Sequence, residues 1–399
     1  MPRNPDRRPS RLLAAGALFG TGLLALAGCA SPAASDDDAP RIVATTTQVA
    51  DFTRQLVGGQ GEVTQLVQPD QSAHAFDPSA AQLLALREAD ALVVNGAGLE
   101  SWLDDAIDAS GFDGVLIDAS TGIELEATDE HDDHDHDDHA DEHDDHDHDD
   151  HADESVDDGQ GGDADDTTTI VPDKTPPATP EDEADEHDHD HDEDADEHGH
   201  EGHDHDHEGG NPHIWTSPAN AELMVENIAA GLAEVPGVDT AELESNEQAY
   251  LAQLDALDEW IRASVDQVPV ADRLLVTNHD AFTYFVDAYD ITFVGSVIPS
   301  FDDNAEPSAA EIDALVERIR DTGVKAVFSE ASISPKAAET IAREAGVTVY
   351  SGADSLYGDS LGVAGSEGES YLGSQIHNVR LIVESWGVEP APLPAALQE

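Results

Sequence analysis

Histidine and carboxylate side chains dominate residues 130–208, and they are the first chemistry the chain offers. Residues 130–141 and 142–153 are a perfect duplication, each reading EHDDHDHDDHAD. Sixteen of the twenty histidines fall in this tract: His131, His134, His136, His139, His143, His146, His148, His151, His187, His189, His191, His198, His200, His203, His205 and His207. Imidazole nitrogen beside carboxylate oxygen suits borderline divalent cations such as zinc. No packed core could hold so many polar ligands, so the tract is expected to be a disordered insertion that meets metal as the free ion. Only four histidines lie elsewhere. His74 sits in Gln71-Ser72-Ala73-His74-Ala75-Phe76-Asp77-Pro78, His213 in Asn211-Pro212-His213-Ile214-Trp215, and His279 in Val276-Thr277-Asn278-His279-Asp280-Ala281-Phe282. Each of these three stands where a strand or loop gives way to a helix, and each alone reads equally as a hydrogen-bonded loop histidine. His377 falls in the last predicted helix and is read as structural.

The elements that must position these side chains come in two runs. In the first, strands are expected at 41–46, 63–67, 91–95 and 115–118, with a helical pattern running from the first of them through Leu56 and helices at 80–87 and 99–109. After the tract, helices are expected at 218–234 and 240–268. Leu243, Tyr250, Leu254, Leu257, Ile261 and Val265 repeat at helical spacing in the second. A helix of that length would span about 43 Å and could serve as a stiff strut. Strands at 274–277, 291–294, 324–329 and 347–350 then alternate with helices at 309–321, 335–345 and 369–386. Such alternation implies parallel βαβ units. The fold class expected is α/β: two Rossmann-like βα lobes joined by a long rigid α-helix, with a metal site in the interlobe cleft, since open α/β sheets bind ligands at strand carboxyl ends. Phe282, Tyr284, Phe285, Phe293 and Trp215 are read as core.

Composition narrows the function. A formal charge of -72 over 399 residues excludes nucleic acid as a partner, because phosphate would be repelled. Arg3, Arg7, Arg8 and Arg11 precede an apolar run from Leu12 to Ala27, the pattern of an export signal. Leu26-Ala27-Gly28-Cys29 then reads as a lipoprotein cleavage site, with Cys29, the only cysteine, as the lipidation point. The organisation expected is a signal peptide over 1–28, a tether over 29–40, an amino-terminal lobe over 41–218 carrying the insertion 129–210, a helical segment over 219–268, and a carboxyl-terminal lobe over 269–399. The protein is expected to be a monomer, lipid-anchored on the extracytoplasmic face of a membrane.

Taken together, the His74 segment, Pro212-His213-Ile214-Trp215, the run from Thr277-Asn278-His279 to Tyr284-Phe285, Asn304-Ala305-Glu306-Pro307-Ser308 and Gly358-Asp359-Ser360-Leu361-Gly362 resemble a known family. It is the solute-binding lipoproteins of zinc and manganese ABC transporters, in the branch with a long connecting helix. The resemblance implies a four-coordinate site shared between lobes, with His74 and His213 from the first and His279 and an aspartate from the second. Asp359 is preferred for its spacing to Tyr371; Asp354, in a second copy of the same pattern, stays an alternative. Glu330 and Asp77 are expected to orient the imidazoles. Ser72-Ala73 and Asn211-Pro212 depart from the Asp-Pro that often precedes the first two ligands in the family, which puts the surrounding hydrogen bonds in doubt.

Three imidazoles and one carboxylate can close a tetrahedron around Zn²⁺ and leave no position for a reactive water, which favours binding over catalysis. Relatives selective for manganese carry glutamate where this chain has His279, so Zn²⁺ is the expected transported ion, with Mn²⁺ or iron as the alternative. The implied partner is a metal permease with a separate ATPase, since no Walker-type phosphate loop is present. A zinc hydrolase lacks its His-Glu-x-x-His helix here, and a metal-storing adhesin would work through the tract alone. The tract itself reads either as a zinc collector near the cleft mouth or as a dispensable solvated loop.

Overall fold

The computed structural model describes residues 39–126 and 210–398. The tract histidines and Cys29 lie outside them. In the first lobe, β1 (Arg41–Ala44), β2 (Glu62–Gln65), β3 (Ala91–Val94) and β4 (Val115–Asp118) form one parallel sheet in the order β2-β1-β3-β4. Val43 is paired with Thr64 on one side and Leu92 on the other. All four residues of β3, Ala-Leu-Val-Val, are buried, as a central parallel strand requires.

Between the strands run α1 (Thr47–Val57), α2 (Ala80–Arg87) and α3 (Leu103–Ser110). Thr46 caps α1 by accepting from the Val49 amide, and Ser79 with Gln82 forms a capping box at α2. The third helix starts four residues later than its sequence pattern suggests. The cause is Glu100, whose carboxylate accepts from the backbone N–H of Asn95 at 2.7 Å and of Gly96 at 3.1 Å and from the Thr45 hydroxyl. That capture holds residues 99–102 in a turn.

Next come α4 (Pro218–Leu232) and α5 (Thr240–Val265). Proline at the first position suits the start of α4. Asp239 caps α5 through the amides of Ala241 and Glu242. With 26 residues, α5 is about 39 Å long, slightly shorter than expected. It stops ahead of Pro269, which disfavours helix in the residue before it. Its buried stripe contains all six residues named from the periodicity, together with Trp260 and Ser264.

The second lobe differs more from expectation. Its strands β5 (Leu274–His279), β6 (Thr292–Ile298), β7 (Ala326–Phe328) and β8 (Thr348–Tyr350) form two parallel pairs, β5-β6 and β7-β8, with β5 lying beside β7. Strand β5 runs two residues further than predicted, which puts His279 at its carboxyl end. A register shift between Leu275 and Val276 pairs Val276 with Gly295 and leaves Val294 as the extra residue. A short helix, α6 (Thr283–Ala288), was not foreseen; α7 (Ala309–Thr322), α8 (Lys336–Ala345) and α9 (Tyr371–Ser385) match their patterns.

Three apolar clusters hold these layers. One lies between the first sheet and α2 and α3, and a second lies under α7 and α8. The largest is continuous through both lobes: it joins Ile42 and Phe52, the stripe of α5, Phe285, Phe328 and the inner face of α9. The lobes therefore share a core rather than meeting only at a hinge.

Candidate metal centre

Three loops and one strand end deliver the site. His279 stands at the carboxyl end of β5; His213 precedes a single 3-10 turn, Ile214–Thr216, that leads into α4. His74 lies in the irregular segment before α2, where the Ser72 hydroxyl accepts from its backbone N–H. Asp359 sits in the connection between β8 and α9. One ligand atom from each of these four lies within 4.8 Å of every other.

The ring nitrogens face inward. Nε2 of His213 is 3.2 Å from Nε2 of both His74 and His279. Oδ1 of Asp359 is 3.0 Å from Nε2 of His213 and of His279, and its Oδ2 is 3.9 Å from Nε2 of His74. Atoms about 2 Å from a common centre and arranged as a tetrahedron are about 3.3 Å apart, close to these separations. Asp359 Oδ2 is buried without a hydrogen-bond partner.

The outer ring nitrogens explain why lone pairs point inward. Asn211 Nδ2 donates to the Asp280 carbonyl at 3.0 Å and to Thr283 Oγ1 at 2.9 Å, so its Oδ1 is free to accept. That oxygen takes the Nδ1–H of His213 at 2.6 Å. Glu330 Oε1 takes the Nδ1–H of His279 at 2.8 Å and its backbone N–H at 3.0 Å. Both rings thus keep their Nδ1–H outside, which leaves Nε2 as the nitrogen that faces the centre.

One sequence expectation is corrected here. Asp77 is exposed and makes no hydrogen bond to the cluster; Asn211 fills the role for His213. Asn211 was in view only as a departure from Asp-Pro, yet an amide with two fixed acceptors orients an imidazole as well as a carboxylate does. Asp354, the alternative carboxylate, lies in an exposed 3-10 turn, Gly352–Asp354, outside the group of facing atoms. His377 also stands apart, with Nε2 on the Ser355 carbonyl at 3.0 Å and Nδ1 on Glu367 at 3.2 Å.

Burial decides the charges. The His213, His279 and Asp359 side chains are fully enclosed, whereas His74 is 12% exposed. Burial pushes the His213 imidazole down to about 4, against the pull of Asp359. His279 is buried as deeply, but Asp359 and Glu330 on its two nitrogens outweigh the burial and hold it well above the usual range. Asp359 is likewise kept well below the usual carboxylate range, its burial overcome by His279 and His213. A cage of facing acceptors that raises the proton affinity of His279 is one that favours positive charge at its centre.

The carboxyl of Glu100 is raised to about 7 by burial. It braces the turn after β3, from which Asn95 Nδ2 donates to the Pro212 carbonyl at 3.1 Å, just ahead of His213. Gly96 in that turn has φ +77°, and a Cβ there would come within 2.0 Å of Asp118 Oδ1. The ends of the long insertion meet nearby: the Asn211 N–H donates to the Glu126 carbonyl at 2.9 Å, the Tyr284 hydroxyl donates to the Asn211 carbonyl at 2.6 Å and accepts from the Glu126 N–H at 3.1 Å.

Fold and site define a two-lobe α/β binding protein with a closed polar cage between its lobes. Over residues 42–385 the chain matches the family described as zinc-uptake complex component A, periplasmic. It belongs to that family of metal-binding solute receptors of ABC transporters, whose members are binding proteins and not enzymes. The manganese-binding lipoprotein MntA of Halalkalibacterium halodurans is 24% identical over 364 residues, covering 90% of this chain and 94% of MntA. The zinc-binding protein AdcA of Streptococcus pyogenes is 26% identical over 360 residues, covering 88% of this chain but 58% of AdcA. Among solved structures, the periplasmic zinc binding protein TroA from Treponema pallidum superposes with a TM-score of 0.63 at 21% identity, over 87% of this chain and 99% of TroA. That last likeness is one of fold.

Proposed function

We propose that this chain captures Zn²⁺ outside the cytoplasm, lipid-anchored through Cys29, and delivers it to a membrane permease driven by a separate ATPase. His74, His213, His279 and Asp359 are the ligands. The observation that carries the reading is the set of four acceptor atoms that face one another at near-tetrahedral separations. Three imidazoles to one carboxylate suit Zn²⁺ better than Mn²⁺, which prefers oxygen. The sequence similarity to MntA supports a manganese carrier as the second reading.

Competition titration and metal analysis of protein lacking residues 129–209 separate the two. One tight zinc equivalent is expected, lost in His213→Ala and Asp359→Asn and kept in Asp354→Asn. Preferential retention of manganese would replace the zinc reading. The histidine tract is proposed to be a collector of weakly held zinc, so its removal should abolish the weak equivalents in calorimetry while sparing the tight one. Unchanged stoichiometry would discard the collector.

A further inference from the structure

The Asp359 side chain meets His213 and His279, but its place is also set through its backbone. The turn that carries it, residues 358–361, is held by the opposite lobe. The Gly358 carbonyl accepts from Trp215 Nε1 at 3.1 Å and from Gln48 Nε2 at 3.2 Å. Gln48 is itself aimed by Thr47, whose hydroxyl donates to Gln48 Oε1 at 2.8 Å. The same Thr47 oxygen accepts from the Leu361 N–H at 2.8 Å, and Ser360 Oγ accepts from the Asp70 N–H at 3.1 Å. Trp215 is anchored in turn, because its carbonyl accepts from the Tyr371 hydroxyl at 2.8 Å. Thr47, Gln48 and Trp215 are all buried, so these bonds do not compete with water.

On its other side the turn is tied to the second lobe. Leu356 bridges to Glu330, its N–H donating to the Ser329 carbonyl and its carbonyl accepting from Ala331. Gly358 packs so closely on Glu330 that a Cβ there would lie 2.0 Å from Oε2. Gly358 is therefore the point where the chain passes from bonds with the second lobe to bonds with the first.

We propose that Thr47, Gln48 and Trp215 are positioning residues for Asp359. By clamping the Gly358–Leu361 turn from the first lobe, they set how long the ion is retained. This rests on the site reading above. The consequence is that three of the four ligands (His74, His213 and Asp359) are registered to the first lobe, with His279 supplied by β5 of the second. Trp215, which sequence reasoning placed in the core, has its indole edge in this clamp.

Zn²⁺ release from the full-length chain into excess chelator, with Co²⁺ absorption spectra as the readout of coordination, tests the proposal. Trp215→Phe keeps the ring and loses the donor; Thr47→Val keeps the shape and loses both hydrogen bonds; Thr47→Ser keeps both. Release is expected to quicken about fivefold in Trp215→Phe and about fivefold or more in Thr47→Val, the size of one or two buried neutral hydrogen bonds. Thr47→Ser should match the parent protein, association should be unchanged, and the Co²⁺ spectra of the two faster variants should shift toward that of Asp359→Asn. Equal release and spectra in Thr47→Val and Thr47→Ser would overturn the proposal, even if Trp215→Phe fails to fold. Identical release from the parent and His213→Ala would overturn the site reading itself.

Discussion

At the scale of single residues the cage sets a proton against a divalent ion. Asp359 and Glu330 hold His279 well above its ordinary value, so on the proposed site reading a proton and an ion compete for its inner nitrogen. Affinity should therefore rise with pH, with proton release on binding. Calorimetry in two buffers of different ionisation enthalpy checks this; buffer-independent heats would refute it. The sign for folding is opposite. A raised imidazole stabilises the ion-free protein below its unfolded value, near 6.5, and that contribution is lost as pH rises through the folded one. His213, pushed down to about 4, stays neutral across this window. The histidines at 74, 213 and 279 stood out as three outside the tract at strand or loop ends, but local pattern read each equally as a loop histidine, and only the family resemblance joined them into one site. Asn211 in place of Asp77 was not legible, since which side chain meets an outer ring nitrogen depends on contacts 69 and 72 residues away in sequence.

At the scale of elements, the turn after β3 supports His213 from below. Glu100→Ala would leave the buried N–H groups of Asn95 and Gly96 without acceptors, at a cost of about 2–4 kcal/mol in urea unfolding of the ion-free protein. The parent protein should lose stability as pH climbs from the ordinary 4.5 toward 7, because the native carboxyl keeps its proton longer than the unfolded one. The slope should be shallower in the variant, since Glu222, also raised to about 7, still contributes over the same range. Leu254→Ala, at a fully buried position on α5, should cost about 2–5 kcal/mol. Helix periodicity made α5 and its buried stripe readable in advance. The late start of α3 and the split second sheet were not: the first follows from a carboxylate captured across a turn, and the second is a matter of which strands pair across the lobe. Neither leaves a mark in local pattern.

At the scale of the whole molecule, one apolar core runs through both lobes and α5 lies along it. A wide hinge would have to expose that surface to water, so loading is expected to produce only a small rearrangement. Superimposable small-angle scattering curves of ion-free and loaded protein would agree; a large change in radius of gyration would not. The two ends of the insertion are stapled together at Glu126, Asn211 and Tyr284. Its length therefore bears little on the folded part, since closing a longer loop adds little entropy cost. Replacing residues 127–209 by a short Gly/Ser link should leave the ion-free melting temperature nearly unchanged, whereas a drop of several degrees would show that the tract supports the fold.

The cage has a single wet corner. Of the four side chains only His74 meets solvent, at 12%, while the others are sealed. On the proposed site reading, a hydrated cation exchanges its first water for that imidazole and sheds the rest while sinking inward. If that lip is also the way out, a receiver seated on it would bar refilling, so the proposed reading places capture and hand-over at one door.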